Sequence, residues 1–241
     1  MGIFTKKTTA PVVANGRFIV LDGTDGTGKT TQVELLAKTL EESGYNQTIF
    51  DFPQYGQPSA SMLEKYLRGE FGKLNAKASS ILYAVDRFDA SFKIREMIAG
   101  NNIVLTNRYV TSNAGHQGGK ITDKHERINF YKWLNDLEFG TFQIPKPDLS
   151  IILHLPVEMS LELIKKGHEA KGTKPDIHDN DIEHLRNAEQ VYLEVAELFP
   201  NTHLIECSQN GRLLTPMEIH TQVWELVRRI TLKDVEPKKL L

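Results

Sequence analysis

The chain has 241 residues, 40% of them apolar, with 29 Lys plus Arg against 31 Asp plus Glu. That is enough apolar matter for one large α/β domain, and the near balance of charge excludes a global positive field that would hold nucleic acid or an anionic membrane. The one cysteine, Cys207, excludes an internal disulfide and a cysteine-based zinc cluster, and suits a reducing cytoplasm.

Residues 1–15 carry lysines but no apolar run of signal-peptide length, and no later segment reads as a bilayer span, so a soluble cytoplasmic protein is expected. Met1 and Gly2 open a myristoylation pattern that Lys6 breaks, because that position calls for Ser or Thr. A strand is predicted at 18–21, then a helix at 31–42, a strand at 48–52, a helix at 78–99 and a strand at 103–106. A helix at 124–139, a strand at 149–155, helices at 157–166 and 182–198, a strand at 202–205 and a helix at 216–230 complete the pattern. Strands alternating with helices predict an α/β fold, a parallel sheet covered on both faces. The expected organisation is one domain over 16–232 with tails at 1–15 and 233–241. The polar stretch KKGHEAKGTKPDIHDND at 165–181 reads either as a solvated connector or as a basic lid over a phosphate site.

Between the first strand and the first helix stands FIVLDGTDGTGKTTQ, in which Gly23, Gly28, Lys29 and Thr30 fit the spacing G-x-x-x-x-G-K-[ST]. Glycines let backbone N–H groups face phosphate oxygens, and the following helix adds the positive end of its dipole. In such a loop Gly23, Thr24, Asp25, Gly26, Thr27, Gly28, Lys29, Thr30 and Thr31 cradle a nucleoside triphosphate. Lys29 lies on the β and γ oxygens, and the Thr30 hydroxyl holds Mg²⁺. GTPases, ATPases and small-molecule kinases all use it, but no guanine-reading N-K-x-D occurs in the chain.

In YAVDRF, Tyr83 and Arg87 are four residues apart on a predicted helix, so an aromatic plane and a guanidinium share one face. That combination suits a nucleoside monophosphate; a surface pair of Asp86 with Arg87 is the alternative. NRYVTSNAGHQGGK at 107–120 follows a predicted strand and is expected as a polar loop at its carboxyl end, where open α/β sheets bind ligands. Arg108 is placed to bridge two phosphates, with Ser112, Asn113 and Gln117 available to base edges.

These segments, with FPQYG at 52–56 and DIHDNDIEHLRNAEQVY at 176–192, follow one another in an order that resembles the thymidylate kinase family over about 17–230. The resemblance implies a P-loop kinase fold with five parallel strands, transfer of the ATP γ-phosphate to dTMP to give dTDP, Mg²⁺ as cofactor and a homodimer. It implies that Lys29, Asp25 and Arg108 are catalytic. Phe52 and Tyr83 are implied to meet thymine, Arg87 the dTMP phosphate or base edge, and Ser112, Asn113, His116 and Gln117 the base and sugar. Segment 165–181 falls where the family has its lid, with Lys165, Lys166, Lys171, Lys174, Asp176 and Asp179 as the charged candidates. Many bacterial members lack a basic residue inside the loop, before its Gly-Lys, and supply a lid arginine; here Gly26 leaves that interior without one, and the lid offers lysines and no arginine.

Three departures stand out. The family's Asp-Arg-Tyr reads Asn107-Arg108-Tyr109, Gln54 replaces a phosphate-binding Arg, and His116 replaces a Tyr near the sugar. They leave open a different acceptor, such as dUMP, another deoxynucleotide or a nucleoside, and a nucleotide-binding module that no longer catalyses.

Overall fold

The computed structural model describes residues 16–171 and 182–233. The first half holds β1 (Arg17–Asp22), α1 (Lys29–Glu42), β2 (Gln47–Asp51), α2 (Ser61–Leu67), α3 (Ala76–Ala99), β3 (Ile103–Asn107) and α4 (Val110–Ser112). The second half holds α5 (Lys124–Asn135), β4 (Leu149–His154), α6 (Val157–Lys171), α7 (Ile182–Leu198), β5 (Thr202–Glu206), the short β6 (Ser208–Gln209) and β7 (Arg212–Leu213), and α8 (Pro216–Ile230).

The run FIVL sends alternate side chains to opposite faces of the sheet. Ile19 and Leu21 enter one apolar layer with Val33, Leu36 and Leu40 of α1 and Val223 and Val227 of α8. Phe18 and Val20 enter the other, with Ile94 of α3, Phe130 of α5 and Val195 of α7. Both faces are thus dry, as an all-parallel sheet requires. The order is β2-β3-β1-β4-β5, with every neighbouring pair parallel. The chain therefore winds away from β1 in both directions, and the crevice beyond its carboxyl end, between β3 and β4, is where the fold receives a ligand. Among the described residues no helix is long and apolar enough to cross a membrane.

The five predicted strands are the strands of this sheet, with Phe52 falling just after β2. Besides shifts of one or two residues at element ends, three segments differ. Residues 107–120 do not form a loop throughout; Val110–Ser112 is helical and Asn113–Gln117 forms a π-helical turn. The segment is buried against α7, and a β-carbon on Gly115 would stand 2.5 Å from the Tyr192 ring. Backbone groups buried so far from water pair internally, and a helical path does this. The helix expected over 124–139 gives way at Asp136 to a second π-helical turn, Asp136–Thr141. The helix expected to stop at Lys166 runs to Lys171, because Glu169, Ala170 and Lys171 are good helix formers and outweigh Gly167. Lys165 is thus an exposed helical residue. The side chains of Lys166 and Lys171, and all of Lys174, Asp176 and Asp179, lie outside what the structure describes.

Candidate active site

At the end of β1 the buried carboxylate of Asp22 accepts from the Gly23 amide at 2.9 Å, Thr111 Oγ1 and Ser112 Oγ at 2.6 Å and Tyr192 Oη at 2.8 Å. One carboxylate so joins the phosphate loop, α4 and α7. A charge without solvent is tolerable when its lone pairs are taken up in this way. Beyond it, Thr27 Oγ1 closes the loop on Thr24 O at 2.8 Å, and α1 begins at Lys29.

Lys29 is buried, its Nζ donating to Thr24 O at 2.7 Å and standing 3.6 Å from Asp25 Oδ1. Burial, reinforced by the repulsion of Arg108, pushes its ammonium down to about 8. Asp25 also pairs with Arg108, whose backbone occupies the left-handed region at φ 69° directly after β3. Burial works against the charge of Asp25, yet Arg108 and Lys29 hold its carboxyl well below the usual range. The Arg108 guanidinium is held above its ordinary value, burial being outweighed by Asp25 and its other anionic neighbours. Arg108 Nη1 also lies 3.2 Å from His116 Nε2. Arginine only donates, so Nε2 is the acceptor and the ring proton sits on Nδ1, facing His184 Nε2 at 3.4 Å.

Two cavities meet at Asp25 and Arg108, and Phe52, Pro53 and Tyr55 also border both. The first is lined by Asp25, Phe52, Tyr83, Arg87, Arg108, Ser112, Asn113, His116 and Gln117, so every residue expected on the acceptor side borders it, together with Pro53, Tyr55 and Leu67. The second follows the loop from Asp25 through Gln32 and is walled by Asp51, Asn107, Leu163, Ile164, Leu213 and Pro216. Lining is not the same as being free to bind. Arg87 is fully buried, with Nε 2.9 Å from Glu138 Oε2 and Nη2 on Oε1, and does not form the surface pair with Asp86. Only Nη1, which donates to Tyr109 O at 3.3 Å, lies outside that fork. Asn113 Nδ2 donates to Ser80 O and Glu138 Oε1, Gln117 Oε1 accepts from Ser79, and Ser112 is spent on Asp22. Gln54 is turned to Asp86, donating from its backbone at 2.9 Å and from Nε2 at 3.1 Å.

Sequence reasoning missed Glu138, Asp22, Asp51, Tyr55 and His184. Asp22 could have been found from its place directly before the loop, and Asp51 from its place before Phe-Pro; Glu138 gave no signal, since its partner is 51 residues away.

Gly26 has a steric explanation. Its φ is +80°, and a β-carbon there would stand 2.6 Å from the Ser160 carbonyl oxygen and 3.0 Å from Ile164. The first turns of α6 therefore occupy the space that a basic side chain inside the loop would need.

For Mg²⁺ the donors are hard oxygens, as that ion takes them. Thr30 Oγ1 accepts from Asn107 Nδ2 at 3.3 Å, while Asn107 Oδ1 is buried without a partner. Those groups fit a magnesium ion brought in with a nucleotide.

A phosphate loop at the switch point of a parallel sheet, opening onto a second pocket through a shared Asp and Arg, defines a phosphotransferase of the P-loop kinase class. The family model described as Thymidylate kinase matches residues 21–215. A probable thymidylate kinase from Pyrococcus horikoshii is 32% identical over 222 residues, 88% of this chain and 96% of that one. The thymidylate kinase of Mycobacterium tuberculosis is 31% identical over 184 residues, covering 74% and 85%. The solved thymidylate kinase from Candida albicans superposes with a TM-score of 0.71 at 22% identity, over 91% of this chain and 93% of its own, a likeness of fold. The chain belongs to the thymidylate kinase family.

Proposed function

We propose that this chain transfers the γ-phosphoryl group of ATP to a phosphate oxygen of dTMP, giving dTDP and ADP, a step in dTTP biosynthesis. The observation that carries this reading is the junction of the two cavities at Asp25 and Arg108, with the phosphate loop on one side and the aromatic-walled pocket on the other.

ATP enters along the loop, its phosphates drawing Lys29 Nζ off Thr24 O and Asp25. Thr30 holds Mg²⁺, which when bound draws negative charge from the transferring group. dTMP occupies the aromatic pocket, its base between Phe52 and Tyr83 and its phosphate beside Arg108 and the Nη1 edge of Arg87. Asn113, Gln117 and His116 border base and sugar, while Ser112 serves through Asp22. The acceptor oxygen needs no protein nucleophile; positioning and charge neutralisation lower the barrier. Arg108, tethered to Asp25, neutralises the charge crowded between donor and acceptor. The loop carries no cation at 26, so a lysine among Lys165, Lys166, Lys171 and Lys174 completes the charge from the lid, of which Asp176 and Asp179 are the carboxylates.

A homodimer belongs to the same reading. Ile81, Val85, Phe88 and Phe92 are exposed on α3 at helical spacing, with Phe92 62% exposed, and such an apolar stripe is the kind that a second copy covers. The lone, buried Cys207 supports work in a reducing cytoplasm, and 16–232 is taken as one domain between its tails.

The test is ADP release with ATP and a panel of dTMP, dUMP, other deoxynucleotides and free nucleosides. Turnover with kcat/KM highest for dTMP is expected. No preference for dTMP sinks the acceptor assignment, and binding of both nucleotides without ADP sinks the catalytic one.

A further inference from the structure

The family's carboxylate at the end of β3 is an amide here, Asn107, yet the donor cavity is not without a carboxylate at that depth. Asp51 ends β2, and in the parallel ladder its Cα is the direct partner of Asn107. The Asn107 amide faces the Asp51 carboxylate, and both Arg108 and Lys29 act on that carboxylate electrostatically. The same amide reaches Thr30 Oγ1 at 3.3 Å. One NH₂ group thus stands between a carboxylate and the hydroxyl expected to hold magnesium, while Oδ1 of Asn107, a residue 8% exposed, is left without a partner. An aspartate at 107 would place two carboxylates side by side, which is unfavourable until a cation joins them. An asparagine there accepts a carboxylate neighbour at no such cost.

We infer that Asp51 is a positioning residue for the nucleotide-bound divalent cation, supplying from β2 the carboxylate that this chain lacks on β3, with Asn107 as its bridge to Thr30. The inference rests on the reading that Mg·ATP occupies the phosphate loop. Carboxylates just outside a metal's direct ligands orient those ligands and its waters, and their loss weakens metal affinity about 10- to 100-fold.

Free Mn²⁺ is measured by electron paramagnetic resonance during titration into the full-length protein with a non-hydrolysable ATP analogue. For Asp51→Asn, Mn²⁺ affinity falls at least about tenfold, while metal-free binding of the analogue and the thermal midpoint of the ligand-free protein stay at wild-type values. Asp51→Asn combined with Asn107→Asp returns the carboxylate to β3 and recovers most of the lost affinity. Wild-type Mn²⁺ affinity in Asp51→Asn, or a double variant no tighter than the single one, overturns the inference and leaves the phosphate-loop reading standing. A wild-type protein that takes up no Mn²⁺ with the analogue overturns that underlying reading and the inference with it.

Discussion

Replacing Glu138 by Ala removes the one carboxylate that forks onto Arg87, in a place where neither side chain meets solvent: 2% exposure for Arg87 and 0% for Glu138. Burial alone would lower the Arg87 charge, and Glu138 is the largest effect opposing it. Left alone, the guanidinium is a buried cation with Tyr109 O as its remaining contact at 3.3 Å. Breaking a buried pair by removing one partner costs about 3–5 kcal/mol. At about 2–4 °C per kcal/mol for a chain of this size, the midpoint should fall by roughly 6–20 °C. Asn113 Nδ2 also loses a partner, at 3.3 Å, so the acceptor pocket loosens on two sides. Thermal and urea unfolding of the ligand-free protein read the first effect, and the KM for dTMP against that for ATP reads the second, with only the former expected to rise. Removing both charges, as Arg87→Leu with Glu138→Leu, should restore most of the stability, because the cost lies in the unpaired charge more than in the missing bond. A Glu138→Ala variant that loses less than about 1 kcal/mol, or single losses that simply add in the double variant, would refute the account.

Lys29→Met should lower kcat by about 10²–10³-fold or more, read by ADP release, since it removes a charge-stabilising donor from a dry site. Because Lys29 is pushed down to about 8 in the free protein, part of it is neutral just above that pH. Phosphates favour its ammonium, so ATP binding should take up as much as about one proton there and weaken as pH rises. Calorimetry in buffers of different ionisation enthalpy measures the uptake, and Lys29→Arg, always charged, should abolish it. Gly26→Arg should lower both activity and thermal midpoint in place of adding a useful cation, since the substitution meets the Ser160 carbonyl at 2.6 Å. Gain of activity would show that α6 yields. Phe92→Glu should turn the proposed dimer into a monomer by light scattering with the fold retained by circular dichroism, because Phe92 is 62% exposed and its ring contacts, Phe88 and Arg95, lie on the same helix.

The parallel sheet was legible because its strands are short apolar runs between longer helical periods, and Phe18 to Leu21, running straight into a glycine-broken loop, reads as a strand buried on both faces. The phosphate loop was legible because its chemistry is written in contiguous residues. Every acceptor-side residue named from sequence borders one pocket, yet their division of labour was not readable. Ser112 is held by Asp22, and Arg87 by Glu138, through pairs 90 and 51 residues apart. Periodicity carries no information about such partners; the packing of α7 and of the turn after α5 creates them. The helical path of 110–117 was not legible for the same reason, since the residues of α7 that it packs against lie far along the chain.

The position of the missing charge follows from one contact. With Gly26 at φ +80° and the Ser160 carbonyl 2.6 Å from where its β-carbon would stand, an L-residue pays twice, once for a left-handed backbone, about 1–2 kcal/mol, and again for displacing α6. α6 cannot retreat freely, because Leu155 and Val157, which lead into it, are fully buried and the Val157 amide donates to Glu189 of α7 at 3.1 Å. Position 26 is therefore closed to a side chain by the first turns of α6. On the reading proposed above, the further cation comes from a lysine of 165–181 and not from position 26. Sequence suggested the lid lysines because position 26 carries no cation; the packing of Ser160 on Gly26 gives the physical reason why it carries none.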